Sequence, residues 1–204
     1  MRCIFSLLLG STLSLTVQLV SGQPATLFES LSPQKTGITF SNILAENPKS
    51  NVLTYEYFYN GGGVAVGDIN HDGLEDVYFT GNMKPNALYL NQGNFKFREI
   101  AASAGVDCKT GWKTGVTMAD VNGDGFLDLY VCFSGKGNPE NRRNKLFINN
   151  GNLTFTEKSG EMGLDDPGHS THASFFDYDR DGDLKADKDS KEFLFTGISG
   201  NMAP

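Results

Sequence analysis

The stretch GGGVAVGDINHDGLEDVY, residues 61–78, contains the feature that decides the fold. An acidic hexapeptide of the form D-x-[DN]-x-D-G lies there between two short apolar runs. Short runs rich in β-branched and aromatic residues, bounded by glycine and aspartate, are typical of β-strands. The segment therefore predicts a strand over 63–68 and a strand over 76–79, joined by an acidic loop.

The acidic hexapeptide occurs three times along the chain. Its first aspartates are Asp68, Asp120 and Asp177, which lie about 55 residues apart, a period typical of whole supersecondary units. Further strands are predicted around the second copy, over 116–118 and 128–131. The hexapeptides therefore mark one position in a larger repeat.

The sequence between the hexapeptides repeats as well. NALYLNQGNFKFRE at 86–99 corresponds to NKLFINNGNLTFTE at 144–157. Both copies continue to a glycine, Gly105 in one and Gly163 in the other, and a looser copy ends at Gly37. The repeat thus begins before the first acidic loop.

Oxygen-bearing side chains at alternate positions, followed by a glycine at a sharp turn, suit a hard divalent cation such as calcium. We name the first loop (68–76), the second loop (120–128) and the third loop (177–185) by these positions. A single such copy can also be a turn that binds nothing, whereas two full copies in register favour binding. The predicted ligands are Asp68, Asn70, Asp72, the Leu74 carbonyl and Asp76; Asp120, Asn122, Asp124, the Phe126 carbonyl and Asp128; and Asp177, Asp179 and Asp181.

The loops differ from EF-hands. An EF-hand loop ends in a bidentate Glu at position 12 and is enclosed by helices. Position 12 is Phe79, Val131 or Lys188 here, and the flanking runs predict strands. The third loop has Lys185 at position 9, where a cation would meet a like charge, so its occupancy stays open.

Residues 61–78 resemble an FG-GAP repeat of the integrin-α and VCBS type, and the N-x-L-Y-x-N-x-G pattern resembles the secreted CRTAC and ASPIC/UnbV group. The resemblance implies an all-β fold in which the repeats are blades of a β-propeller, with calcium in the loop between two strands of a blade. About three repeats cover residues 23–184, and the tail 185–204 departs from the pattern. Three blades do not close a seven-bladed ring, so we expect a fragment of a longer protein or self-association through exposed edges.

The start of the chain predicts export. Residues 1–22 contain an apolar stretch that is too short to span a membrane and ends in small residues, as in a cleaved signal peptide. We therefore expect a secreted, periplasmic or cell-surface protein with no membrane span after cleavage. The formal net charge of −7 makes nucleic acid an unsuitable partner.

Several side chains have two interpretations. Cys108 and Cys132 either form a disulfide in an exported chain or act as small buried hydrophobes. His169 and His172 either bind a transition metal or fill a structural position of the repeat, and the second is favoured. His71, at position 4 of its loop, is expected to have no role.

Aromatic residues form a further feature. A cluster before the first loop would stack on sugars or on a partner protein where it is exposed, although alternation along a strand buries half of it. Trp112 has the same two interpretations, with burial favoured. The cluster consists of Tyr55, Tyr57, Phe58 and Tyr59.

The sequence as a whole predicts an exported calcium-binding β-propeller module. Calcium would be structural, and the surface would bind an unknown protein or glycan. No catalytic arrangement stands out from the repeat acids, so we expect no enzyme. The alternative is the N-terminal part of a propeller enzyme acting on polysaccharide or phosphoester, and a third possibility is a purely structural assembly piece.

Overall fold

The computed structural model describes residues 27–177 and the backbone of residues 193–194. The chain divides into two units, Met1–Ser30 and Leu31–Pro204, and every element below belongs to the second. Several predicted features lie outside the described residues. They are the signal peptide (1–22), the ligands Asp179 and Asp181, and the tail 185–204 with Lys185, apart from the backbone of residues 193–194.

The described elements are mostly short strands. In chain order they are α1 (Pro33–Thr36), β1 (Val64–Gly67), β2 (Asp76–Phe79), β3 (Ala87–Asn91), β4 (Phe97–Glu99), α2 (Ala101–Ala104), β5 (Trp112–Ala119), β6 (Asp128–Ser134), a 3-10 helix (Pro139–Arg142), β7 (Lys145–Asn149), β8 (Phe155–Glu157), β9 (Ser174–Phe175) and β10 (Phe193–Leu194). The strands predicted around the first two acidic loops are thereby confirmed, and helices do not enclose those loops.

The strands form two equivalent sheets. The first sheet has the order β1-β2-β3-β4, the second has the order β5-β6-β7-β8, and β9 pairs with β10. All described pairings are antiparallel. The predicted sheet-based class is confirmed for the described residues, whose sheets are open.

The repeated glycines end short helical turns. Gly37 caps α1 with φ 80° and Gly105 caps α2 with φ 80°, while Gly163 has φ 68°. Left-handed backbone of this kind costs glycine little, because it has no Cβ. This explains why all three copies, including the looser one, reach a glycine.

One tyrosine hydroxyl in each sheet ties the second strand to the segment after the repeated glycine. Tyr78 donates to the carbonyl of Val106 at 2.5 Å, and Tyr130 donates to the carbonyl of Leu164 at 2.8 Å. Both tyrosines are buried, where an unpaired hydroxyl would be costly. Each sheet and its turn therefore form one repeat unit.

The two sheets share a hydrophobic core. Tyr78 and Leu88 of the first sheet are in one cluster with Leu129 and Val131 of the second. Full burial of a side chain of this size contributes about 1.5–3 kcal/mol. The packing places the two acidic loops on the same side of the molecule, where Asn149 of β7 reaches the first loop.

Neighbouring repeats approach each other closely at glycines. A Cβ added to Gly63 would lie 2.9 Å from the Cα of Gly115, and a Cβ added to Gly115 would lie 2.4 Å from the carbonyl oxygen of Thr171 and 3.0 Å from the Cα of His172. Gly63, Gly115 and His172 each lie five residues before the first aspartate of a loop. These three residues therefore occupy the same position in successive repeats, which is the structural role predicted for His172.

Cys108 and Cys132 are each buried and form no disulfide. Burial raises the pKa of the Cys108 thiol to about 11 and that of Cys132 to about 12. Of the two interpretations given above, the structure supports the buried hydrophobe.

No helix in the described part of the chain has the length and apolar character needed to cross a membrane.

Candidate calcium loops

The first loop is folded around the carboxylate of Asp68. Its Oδ1 accepts the backbone N–H of Asp72 at 3.2 Å, and its Oδ2 accepts that of Gly73 at 2.8 Å. Burial raises the pKa of Asp68, but the amide donors, led by Gly73, outweigh it and lower the pKa overall. Gly73 has φ 81°, which provides the sharp turn that the motif predicts.

The second loop repeats this geometry. Asp120 Oδ1 accepts the N–H of Asp124 at 3.1 Å, and Asp120 Oδ2 accepts that of Gly125 at 2.8 Å. In both loops the amide at position 3 donates to the carboxylate at position 5, at 3.0 Å from Asn70 to Asp72 and at 2.8 Å from Asn122 to Asp124. Two segments about 50 residues apart thus adopt the same side-chain network.

The position-9 carboxylates lie at the buried base of each loop. Asp76 accepts the N–H of Ile69 at 3.1 Å and that of Asn91 at 2.7 Å. Asp128 accepts the N–H of Val121 at 3.0 Å and that of Asn149 at 2.8 Å. Each carboxylate therefore joins its loop to the third strand of its sheet.

Burial is the main cause of the raised pKa of the aspartate at position 9. It raises the pKa of Asp76, and it raises the pKa of Asp128 to about 6. The other carboxylates of each loop add to the rise, Asp72 and Asp68 in the first loop and Asp124 and Asp120 in the second. The predicted ligand positions of each loop thus carry three carboxylates, which repel one another when charged.

The donor set fits a hard divalent cation in its chemistry. At its predicted ligand positions, each of the first two loops offers three carboxylates, one amide oxygen and one backbone carbonyl, and calcium prefers oxygen ligands of these kinds. In the described conformation the carboxylates are held by backbone N–H groups, and within residues 27–177 no three His, Cys, Asp or Glu side chains converge as a metal cluster. Binding would therefore need a rearrangement of the loop side chains toward a common centre.

The two loops are joined by His71. Its Nε2 donates to the carbonyl oxygen of Gly125 at 2.7 Å, and its ring stacks on Phe126 with centroids 4.5 Å apart and planes at 9°. Beneath it, Asn149 Nδ2 donates to the carbonyl of Ile69 at 2.8 Å and to that of Leu127 at 3.1 Å. The expectation that His71 has no role is wrong, because the packing of the sheets brings the second loop against it.

The third loop is described only at its start. Asp177 is half-buried and follows β9, while the remaining predicted ligands of this loop lie outside the described residues. The prediction for Asp177, Asp179 and Asp181 is therefore still a prediction.

The two nearby histidines have different surroundings. His169 Nδ1 lies 3.1 Å from Ser134 Oγ, and burial, followed by the charge of Arg142, lowers its pKa. His172 is exposed, with its backbone against Gly115. The contacts fit the structural interpretation of both residues.

Comparison with known proteins gives the class of this chain. Residues 68–131 match the family described as FG-GAP-like repeat. This segment begins at the first loop, contains the second loop and ends at Val131. The resemblance to FG-GAP repeat proteins predicted from the sequence is confirmed.

Three related proteins found by sequence bear one name. Cartilage acidic protein 1 of Xenopus tropicalis is 30% identical over 145 residues, which cover 71% of this chain and 21% of that protein. Cartilage acidic protein 1 of Mus musculus is 34% identical over 122 residues, and that of Homo sapiens is 32% identical over 125 residues; each alignment covers 18% of the relative. Similarity to the CRTAC group is thus confirmed, and the chain spans about a fifth of the length of the curated relatives it matches.

Proposed function

We propose that this chain is an exported calcium-binding repeat module that serves in binding or adhesion, with a protein or a glycan as its ligand. Calcium is a structural ion in this proposal. It pins the first and second loops between their strands, and it catalyses no reaction. The similarity to cartilage acidic protein 1 supports a binding module, and no catalytic role is assigned to any residue.

The observation that carries the calcium proposal is the repetition of one loop network. The same donors and acceptors recur in the first and second loops. The donor–acceptor distances are 2.8 Å in both loops for the glycine amide to the position-1 aspartate, and 3.1 and 3.0 Å for the amide that donates to the position-9 aspartate. Burial raises the pKa of the position-9 aspartate most, and repulsion from the other carboxylates of its loop adds to the rise. A divalent cation among them would offset that repulsion.

The two sheets also support the propeller architecture as part of the proposal. They have the same strand order, and β1 approaches β5 through Gly63 and Gly115. First strands that lie side by side are what successive blades around one axis require. Further blades would come from a longer protein or from other copies of the chain.

Thermal unfolding of the full chain tests the calcium proposal. We expect millimolar calcium to raise the melting temperature relative to chelator, because extracellular sites bind calcium at about 10⁻⁴ to 10⁻³ M. Magnesium at the same concentration should have a smaller effect, since it dehydrates reluctantly and demands strict octahedral geometry. Equal melting temperatures in calcium and in chelator would exclude a structural calcium ion.

A further inference from the structure

A cleft of about 860 Å³ lies at the end of the second sheet opposite the second loop. It is bordered by Trp112 at the start of β5 and by Ser134 at the end of β6, whereas the second loop joins the other ends of these two strands. Small-molecule sites have volumes of about 300–1,000 Å³. The cleft therefore has room for a short ligand and is separate from the calcium loops.

The floor of the cleft is aromatic and firmly held. Trp112 is half-buried, and its ring packs edge-on against Tyr55 and at 40° to Phe58, with both centroids 5.3 Å away. Tyr55 and Phe58 are buried, and the hydroxyl of Tyr55 lies 2.9 Å from Ser134 Oγ. A ligand with a flat apolar face would find a preorganised surface here.

The acidic side chains of the cleft wall are already paired. Arg143 binds Glu140 at 2.7 Å and Asp165 at 2.8 Å. Glu157 accepts the N–H and the hydroxyl of Ser159. Each of these three acidic side chains thus has an ion-pair or hydrogen-bond partner within the protein.

The remaining cations of the wall lack such partners. Among residues 27–177, no carboxylate lies within ion-pair distance of Lys49, Lys136 or Lys145, and Arg142 is held by the carbonyls of Gly137 and Pro167. Lys49 and Lys136 are exposed, and Lys145 is half-buried with Nζ 6.0 Å from the Phe133 ring centre. A chain with a net charge of −7 thus presents a locally cationic cleft.

We propose that this cleft binds a short acidic saccharide, with a sugar face on Trp112 and its carboxylate or sulfate groups on Lys49 and Lys136. The aromatic floor favours a ring with an apolar face, and the cations without an ion-pair partner favour an anion. The volume suits a short ligand. This inference rests on the binding role proposed above and is independent of the calcium sites.

Trp112 is the only tryptophan of the chain, so its fluorescence reports binding directly. The full chain would be titrated with a sulfated disaccharide containing a uronic acid, with a neutral disaccharide, with inorganic sulfate and with triglutamate. We expect saturable change with the acidic disaccharide alone, weakened by added salt. No change with it, or equal affinity for sulfate or triglutamate, would overturn the proposal.

Matched lysine variants locate the site. Lys49→Gln and Lys136→Gln should each weaken binding about tenfold, the loss of one charged hydrogen bond. Lys96→Gln removes an exposed lysine outside the cleft and should leave affinity unchanged. Equal loss in all three variants would contradict a specific cleft. A calcium-raised melting temperature with no saccharide binding would overturn this inference and leave the calcium proposal standing.

Discussion

The imidazole Nε2 of His71 lies 2.7 Å from the carbonyl oxygen of Gly125 and so connects the two acidic loops through residues that are 54 positions apart in sequence. The same ring lies flat on Phe126, whose carbonyl is a predicted ligand of the second loop. His71 thus contacts both loops directly, beside the Asn149 amide that bridges Ile69 and Leu127.

Replacing His71 by Asn should destabilise the chain by about 1–2 kcal/mol, because one hydrogen bond and one ring contact are lost. Asn is chosen because His71 has φ 59°, a region that Asn tolerates better than Ala does. The free energy of unfolding, measured with denaturant in chelator, provides the test. His172→Asn, a change at an exposed histidine, should shift it by less than about 0.5 kcal/mol, and equal effects of the two changes would contradict the loop-to-loop contact.

Gly115→Ala should cost about 1–3 kcal/mol, because the new Cβ would overlap the backbone of the following repeat. The overlapping atom is the carbonyl oxygen of Thr171, 2.4 Å from the Cβ position. Gly160→Ala is the control, since nothing lies within 4 Å of its Cβ position. Thermal unfolding of both variants decides the matter, and a Gly115→Ala chain as stable as the Gly160→Ala chain would show that the repeats do not approach here.

Lys113→Met should stabilise the chain at pH 7.5 by about 1–3 kcal/mol, because the lysine is fully buried and a charge there is poorly solvated. Its Nζ donates to the carbonyl of Gly111 at 3.1 Å, and burial lowers the pKa of Lys113 to about 8. In the unfolded chain Lys113 has an ordinary lysine pKa of about 10.4. Between about pH 8 and this value the unfolded chain therefore binds more protons than the folded chain. The contribution of Lys113 to stability rises with pH across this window.

The difference between Lys113→Met and the unchanged chain should accordingly shrink from pH 7.5 to pH 10. Denaturant unfolding at both pH values measures it, and subtracting the two chains cancels the titration of groups that do not interact with Lys113. Lys109→Met, at an exposed position, should show no such dependence. A constant difference across the window would mean that Lys113 is solvated in the folded state.

Local sequence was sufficient to predict the loops and their flanking strands. Asp68 and Gly73 form a hydrogen-bonded turn by themselves, and alternating apolar residues mark β1 and β2. β5 begins at Trp112 and is longer than predicted. The sequence pattern misses its first residues because the register shifts between Lys113 and Val116, and because Gly115 has no side chain to continue the alternation.

Contacts between repeats could not be predicted in this way. The role of His71 depends on how the two sheets pack, which a single sequence does not reveal. The cleft at Trp112 likewise collects residues from Lys49 to Asp165. Whether Cys108 and Cys132 pair also depends on the tertiary arrangement, which leaves them apart as buried thiols.

Calorimetric titration of the full chain with calcium tests the central claim most directly. The account predicts at least two sites of about millimolar affinity, with one weakened in Asp72→Asn, another in Asp124→Asn and both in the double variant. Asn keeps the oxygen that accepts the N–H of Leu74 or Phe126 and removes one charge. Glu161→Gln, at an exposed carboxylate outside the loops, should titrate like the unchanged chain. No calcium binding, or binding that both aspartate variants leave unaltered, would contradict the account.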